Sequence, residues 1–368
     1  MHVLVTADVL GGVWTYTREL VTELALRHIR VTLVSFGEIP QPSQTSWLEK
    51  LSNVSYYPTP FRLEWMQDAA EDIYESSRYL LSIIHEHRPD LLHLSQYCYG
   101  ALDVALPKVV VAHSDVMSWN ESVYGMQPED TWAQWYRAIV EQGLAGANMV
   151  VAPSRWMLGC IDKCYGPQPR SRVIYNGRTP ALFNPFVSKD NYAASVGRLW
   201  DEGKQSRLLM QLDSSIPIFL AGATSVDDGS GNRYPEGRAK EGSSIWSKGQ
   251  LSEGEMRELL SRAAVYIATS KYEPFGLAPL EAALSRCAIV ANDIPSFREI
   301  WGDTAVYFHR DNAISLGQAL EILHSDPRLC MTYANLAYER ARKRYTAERM
   351  VDEYVQLYTA LLEHRAAA

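Results

Sequence analysis

Short apolar runs rich in β-branched residues alternate along this chain with longer segments whose apolar positions recur every three or four residues. The first kind predicts buried strands and the second predicts amphipathic helices. HVLVTAD is such a run, TYTRELVTELALRH a helix pattern, and RVTLVSFG a second run. Strands without polar alternation, separated by helices, belong to a parallel sheet covered on both faces. The rhythm continues through AEDIYESSRYLLSIIHEH, DLLHLS, KVVVAHSD, TWAQWYRAIVEQGLAGA, MVVAPS, RWMLGCIDKC and SRVIYNG. A turn-rich passage, NGRTPALFNPFVSKDN (176–191), interrupts it and marks a change of domain. A second α/β series begins at YAASVGRL and includes IPIFLAGA, VYIATS, CAIVAND and AVYFH. The expected domains are residues 1–185 and 186–346. The last two helix patterns are expected to lie across both, with the final one (347–368) packing back on the first domain. The glycine-rich, polar stretch DDGSGNRYPEGRAKEGSS (227–244) predicts an exposed loop. Two similar α/β lobes facing one another suggest a ligand held in the cleft between them.

Length agrees with this division, since 368 residues exceed one compact core. A formal charge of −8 opposes nucleic-acid binding, which needs a basic surface, so any anionic ligand must meet local cations. No stretch offers the apolar length of a membrane span, and MHVLVTADVLGG lacks the features of a signal peptide, which points to the cytoplasm. No segment combines an apolar face with clustered Lys and Arg, so membrane association is not indicated. The five cysteines are odd in number and show no zinc spacing, which predicts reduced thiols.

In an open parallel sheet, ligands sit beyond the carboxyl ends of the strands, so the loops after strands carry the candidate chemistry. In DVLGGVW, Gly11 and Gly12 precede a helix, which suits either a phosphate contact or a plain structural turn. In VGRLWDEGKQ, Arg198 and Lys204 follow a strand, where they suit a diphosphate or form a solvated charged loop. In YEPFGLAPLEAAL, Glu273 precedes a turn and Glu281 falls in the first turn of the next helix. Gly276 there lets backbone approach a ligand, and Pro279 fits an early helical position. By residue type alone, Glu281 complements a positive helix N-terminus and Glu273 is solvated, or the two carboxylates accept charge-assisted bonds from hydroxyl pairs of a ligand.

EPFGLAPLE resembles the E-x7-E signature of the retaining glycosyltransferases of family 4. The resemblance extends in order through Gly11 and Gly12, AHSD around His113, APS at Ser154, VIYNG, VGRLWDEGK and ANDIPSFREIWGD, covering nearly the whole chain. It implies the GT-B fold, an α/β architecture of two facing Rossmann-like domains with parallel sheets. It also implies transfer of a sugar, with retention, from a UDP-, GDP- or ADP-linked donor to a hydroxyl acceptor such as a saccharide, lipid-linked glycan or small molecule. Glu281 then takes the donor ribose and Glu273 the transferred sugar. Arg198 and Lys204 take the diphosphate, and the amides of Phe275, Gly276 and Leu277 contact the sugar and distal phosphate. Gly12 contacts the diphosphate, and His113 lies beside the sugar. The chain departs from many members in reading EGK where they read EKG.

No cofactor is expected. With no D-x-D sequence after a strand and two cations available, neither is a metal. A glycoside hydrolase would leave those cations unused. A dinucleotide enzyme would need the full glycine fingerprint. A catalytically silent sugar-nucleotide-binding protein of the same fold is the alternative, which an assay of donor hydrolysis separates.

Overall fold

The computed structural model describes residues 1–9, 11–212, 214–223, 237–238 and 244–367. The chain forms two compact units, Met1–Gly177 with Ala347–Ala368, and Arg178–Thr346. The changeover comes before the 185/186 expected from the turn-rich passage, because Arg178 is already fastened to the second unit. Its N–H donates to Tyr345 O at 3.0 Å, and it bridges in parallel with Thr346. Of the expected loop at 227–244, all but 237–238 and 244 lies outside the described residues.

The first unit contains β1 (His2–Asp8), β2 (Arg30–Phe36), β3 (Val54–Pro58), β4 (Leu91–Leu94), β5 (Lys108–Val111), β6 (Met149–Ala152) and β7 (Ser171–Val173). They form one parallel sheet in the order β3-β2-β1-β4-β5-β6-β7. Val3, Leu4 and Val5 of β1 and Val31, Leu33 and Val34 of β2 are wholly buried, which is why these strands read as mainly apolar runs without regular polar alternation. Each such side chain contributes about 1.5–3 kcal/mol of burial free energy. The helices are α1 (Gly12–Leu26), α2 (Pro42–Thr45), α3 (Ala70–His87), α4 (Val116–Tyr124), α5 (Thr131–Gly146) and α6 (Arg155–Tyr165). Side-chain caps start three of them: Asp115 accepts from Ser118 N (2.7 Å), Asp130 from Ala133 N (2.8 Å) and Ser154 from Met157 N (3.0 Å). α5 crosses the turn Cys98–Ala101 backbone to backbone. A Cβ on Gly143 would stand 1.8 Å from Tyr97 O, so only glycine allows the approach.

The second unit contains β8 (Asp190–Val196), β9 (Ile218–Ala221), β10 (Gly237–Arg238), β11 (Ile245–Ser247), β12 (Ala263–Ala268), β13 (Ala288–Asn292) and β14 (Val306–Phe308). Their order is β10-β11-β9-β8-β12-β13-β14, parallel except for the β10–β11 pair. The helices are α7 (Glu253–Arg262), α8 (Leu277–Leu284), α9 (Pro295–Trp301), α10 (Ala313–Ser325) and α11 (Pro327–Arg344). Ile218, Leu220, Ile267, Val290 and Phe308 of the sheet pack with Leu316 and Leu320 of α10. This is the α/β fold with two parallel sheets that the alternating pattern predicts.

α12 (Ala347–Ala367) returns to the first unit, while α11 stays in the second. Met350, Val351, Tyr354 and Tyr358 are wholly buried, and Arg27 Nη2 of α1 lies 2.6 Å from Asp352 Oδ1. The strand order turns back between β1 and β4 in one unit and between β8 and β12 in the other. Those are the points at which open parallel sheets accept ligands, and the loops leaving β1, β8 and β12 are three that the sequence singles out.

Candidate functional site

In the second unit, the segments after β8 and β12 meet at the turning point of the sheet. They are stitched together by backbone and hydroxyl contacts. Lys271 N donates to Gly203 O at 2.8 Å, and Thr269 Oγ1 donates to Lys204 O at 2.7 Å. From the end of β13, Asn292 Nδ2 donates to Ser270 O at 3.1 Å and supports the loop from below. The β8 segment turns through a short 3-10 helix, Glu202–Lys204, capped by Asp201, whose Oδ1 accepts from Gly203 N at 2.8 Å. Asp201 Oδ2 accepts from Arg198 Nη2 at 2.7 Å, and the Arg198 guanidinium carbon lies 5.4 Å from the Trp200 ring centroid. One carboxylate thus shapes the turn and aims the arginine. Arg198 keeps 47% of its side chain exposed, and one Arg–Asp bond leaves guanidinium N–H groups to spare.

Lys204 points to the β12 side, with Nζ 2.6 Å from Glu273 Oε2, and Ser270 Oγ donates to the same oxygen at 2.9 Å. The EGK spelling therefore carries the ammonium to the glutamate that opens the E-x7-E motif. Beneath the loop, Tyr266 donates its hydroxyl to Val196 O at 3.1 Å. Burial, then the charge of Glu273, pushes that phenol far above its ordinary range, so it stays protonated.

Gly276 takes φ +91°, a left-handed conformation that only glycine adopts cheaply, and it precedes α8 without a side-chain cap. The amides opening α8 thus lack a side-chain acceptor from the capping residue, as at an anion-receiving helix end. Phe275 is buried, its ring 5.4 Å from that of Tyr345, so its side chain packs and its backbone faces the turn. α8 begins at Leu277, which places Glu281 in the second helical turn rather than the expected first. The Glu281 carboxylate Oε1 lies 2.9 Å from Arg178 Nε, with only 16% and 5% of the two side chains exposed. Sequence reading misses Arg178, because nothing in its local pattern brings it to α8. Asn292 was visible only as part of ANDIPSFREIWGD.

In the first unit, Gly11 has φ +70° and caps α1 without a side-chain bond, and Gly12 is the first helical residue. A Cβ added at Gly11 would meet open space, so backbone conformation and not crowding asks for glycine there. His113 follows β5, its N–H donating to Val111 O at 3.0 Å. Its ring meets that of Tyr16 edge-on at 4.5 Å, and its buried Nε2 has no hydrogen-bond partner among the described residues. Burial pushes the His113 imidazole down to about 3, so it is neutral at physiological pH. Beside it, His93 is gripped at both nitrogens, by Tyr16 Oη at 3.1 Å and Tyr358 Oη at 2.6 Å.

Among the described residues, no cluster of three His, Cys, Asp or Glu is arranged to hold a metal ion. Among them too, no helix is long and apolar enough to cross a membrane.

Two family models match the chain, Glycosyltransferase Family 4 over residues 10–181 and Glycosyl transferases group 1 over residues 183–343. The alpha-maltose-1-phosphate synthase of Mycobacterium tuberculosis is 28% identical over 300 residues, covering 72% of this chain and 75% of the relative. O-antigen chain mannosyltransferase C of Escherichia coli is 24% identical over 302 residues, covering 77% of each. In structure, the chain resembles sucrose-phosphate synthase from Thermosynechococcus elongatus, with a TM-score of 0.80 at 16% identity and full coverage of both chains. It also resembles Anabaena HepE, solved in complex with UDP-glucose, with a TM-score of 0.73 at 15% identity over 98% of this chain and 100% of that one.

Proposed function

The chain belongs to the group 1, family 4 glycosyltransferases, and on that premise we propose that it moves a sugar from a nucleoside-diphosphate sugar to a hydroxyl acceptor with retention and without a metal. The observation that carries this reading is the convergence at the β8/β12 turning point. There Lys204 meets Glu273, Arg198 stands on the same β8 segment aimed by Asp201, and Glu281 follows on α8. Two carboxylates suit two sets of sugar hydroxyls, and two cations suit the diphosphate joining them. HepE is described in complex with UDP-glucose, and a donor of that chemical class fits these charges.

In this reading Arg198 and Lys204 offset the charge that grows on the departing diphosphate, which is the role a divalent ion would otherwise fill. Lys204 already touches Glu273, so one ammonium links the phosphate side of the donor to its transferred sugar. Glu281 accepts from the ribose hydroxyls. The amides from Phe275 to Leu277 donate to the sugar and distal phosphate. Gly11 and Gly12 present backbone to the diphosphate, and His113, neutral and with Nε2 unsatisfied, bonds a hydroxyl of the sugar. The acceptor is assigned no further than a hydroxyl-bearing molecule.

The test is donor turnover with UDP-, GDP- and ADP-linked sugars, in EDTA and with added magnesium or manganese, with the product anomer read by NMR. The expected result is turnover of one donor in EDTA with the anomeric configuration kept. Turnover only with a divalent ion, or an inverted product, would overturn the corresponding part.

A further inference from the structure

We propose that Arg178 is the positioning residue for Glu281, holding its carboxylate in one orientation so that the site distinguishes a ribose from a deoxyribose. This rests on the reading of Glu281 as the ribose acceptor, but the residue it adds lies outside every motif of the sequence reading. Three observations fix Arg178 independently of any ligand. Its backbone is tied where the chain enters the second unit, through Tyr345 O at 3.0 Å and the bridge to Thr346. Its guanidinium carbon lies 5.4 Å from the ring centroid of Phe183. Its side chain is only 5% exposed. A buried guanidinium on an anchored backbone, with a ring against it, has little freedom to follow its partner, so the partner is the one positioned.

Glu281 needs that help. A carboxylate with 16% exposure loses much of its hydration, and burying such a charge without a counter-ion is strongly unfavourable. The ion-pair contact at 2.9 Å from Nε supplies the counter-charge, and the Phe183 ring bounds the guanidinium on one side. Lysine would bring charge without a plane. Selection between hydroxyl and hydrogen at one ribose carbon then depends on a carboxylate kept in register by Arg178. Groups built to pair with a hydroxyl penalise its absence most when they are rigid and buried.

The experiment compares wild type, Glu281→Gln, Arg178→Met and Arg178→Lys by calorimetry. The probes are UDP, GDP and ADP, then the 2′-deoxy and 3′-deoxy counterparts of whichever binds, and inorganic pyrophosphate. Wild type is expected to prefer the ribonucleotide, and Glu281→Gln to lose that preference. Arg178→Met should lose it as well, by roughly tenfold or more in the ribo-to-deoxy ratio, as for a hydrogen bond to a charged group. Pyrophosphate binding should stay at the wild-type value in all variants. If Arg178→Met fails to fold by circular dichroism, Arg178→Lys is judged in its place and should lose part of the preference. A wild-type ribo-to-deoxy ratio in the folded Arg178 variant, with the preference lost in Glu281→Gln, overturns the positioning role alone. A preference intact in Glu281→Gln, or no nucleotide bound by wild type, overturns the ribose assignment and this inference with it.

Discussion

Glu273 and Glu281 differ in partner, as do the roles proposed for them. Glu273 is held by Lys204 at 2.6 Å and by Ser270, next to the groups proposed for the diphosphate, whereas Glu281 is held by Arg178. Glu281→Ala is therefore expected to weaken binding of the bare nucleoside diphosphate, by about 1.5–3 kcal/mol for a lost bond to a charged group. Glu273→Ala should leave that affinity nearly unchanged and depress transfer from the full donor, in kcat as well as KM. Calorimetry beside steady-state rates checks both, and the opposite pattern would reverse the placement of the donor. The E-x7-E spacing, the cations after β8 and the glycine before α8 were all readable, since each residue type states its chemistry. Arg178 was not. Its partner is chosen by the fold's return path through Tyr345 and Thr346, which no local pattern records.

At the scale of elements, β4, α1 and α12 share one buried hydrogen-bonded group. His93 of β4 is wholly buried and joins Tyr16 of α1 and Tyr358 of α12. Burial first, and the neighbouring His113 second, push its imidazole down from 6.5 to about 3. The unfolded chain therefore binds a proton that the folded chain refuses at any pH between those values. Stability is complete above about 6.5 and falls as the pH drops through the window toward about 3, by up to about 1.4 kcal/mol per pH unit for this histidine. Urea unfolding at pH 7 and pH 5 should show the loss, and His93→Gln should remove its share of it, leaving the part that belongs to the buried His113 and His2, which burial lowers as well. Equal stability of the wild type at the two pH values would dismiss the histidine as its source. The apolar run DLLHLS predicts the strand but not this grouping, because both tyrosine partners come from helices distant in sequence. α4 escaped the sequence reading for a local reason. It starts at the Asp115 cap, and its few apolar positions set no clear stripe.

At the scale of the whole molecule, the alternation of apolar runs with amphipathic segments carried the two-sheet α/β fold, because a strand covered on both faces has no polar positions to hide the signal. One feature of that fold governs the order in which it can be built. The second unit is a single continuous stretch, Arg178–Thr346, whereas the first is finished only by the helix that follows it. Ribosomal synthesis is vectorial, so the sheet of β1 to β7 emerges early and waits, with the His93 nitrogen bonded by Tyr358 and the surface covered by Met350 and Val351 still bare. The inserted unit has every one of its own strands before α12 leaves the tunnel. A chain ending at residue 346 should accordingly keep protease-resistant fragments covering 178–223 and 244–346 while 1–177 is digested. Adding α12 back as a separate peptide should restore protection to 1–177. Equal resistance of both parts in the shortened chain would show that the first unit closes without its late helix. In the cell, the interval between the two events is when a nascent chain of this family member exposes apolar surface to chaperones and to its neighbours on the polysome.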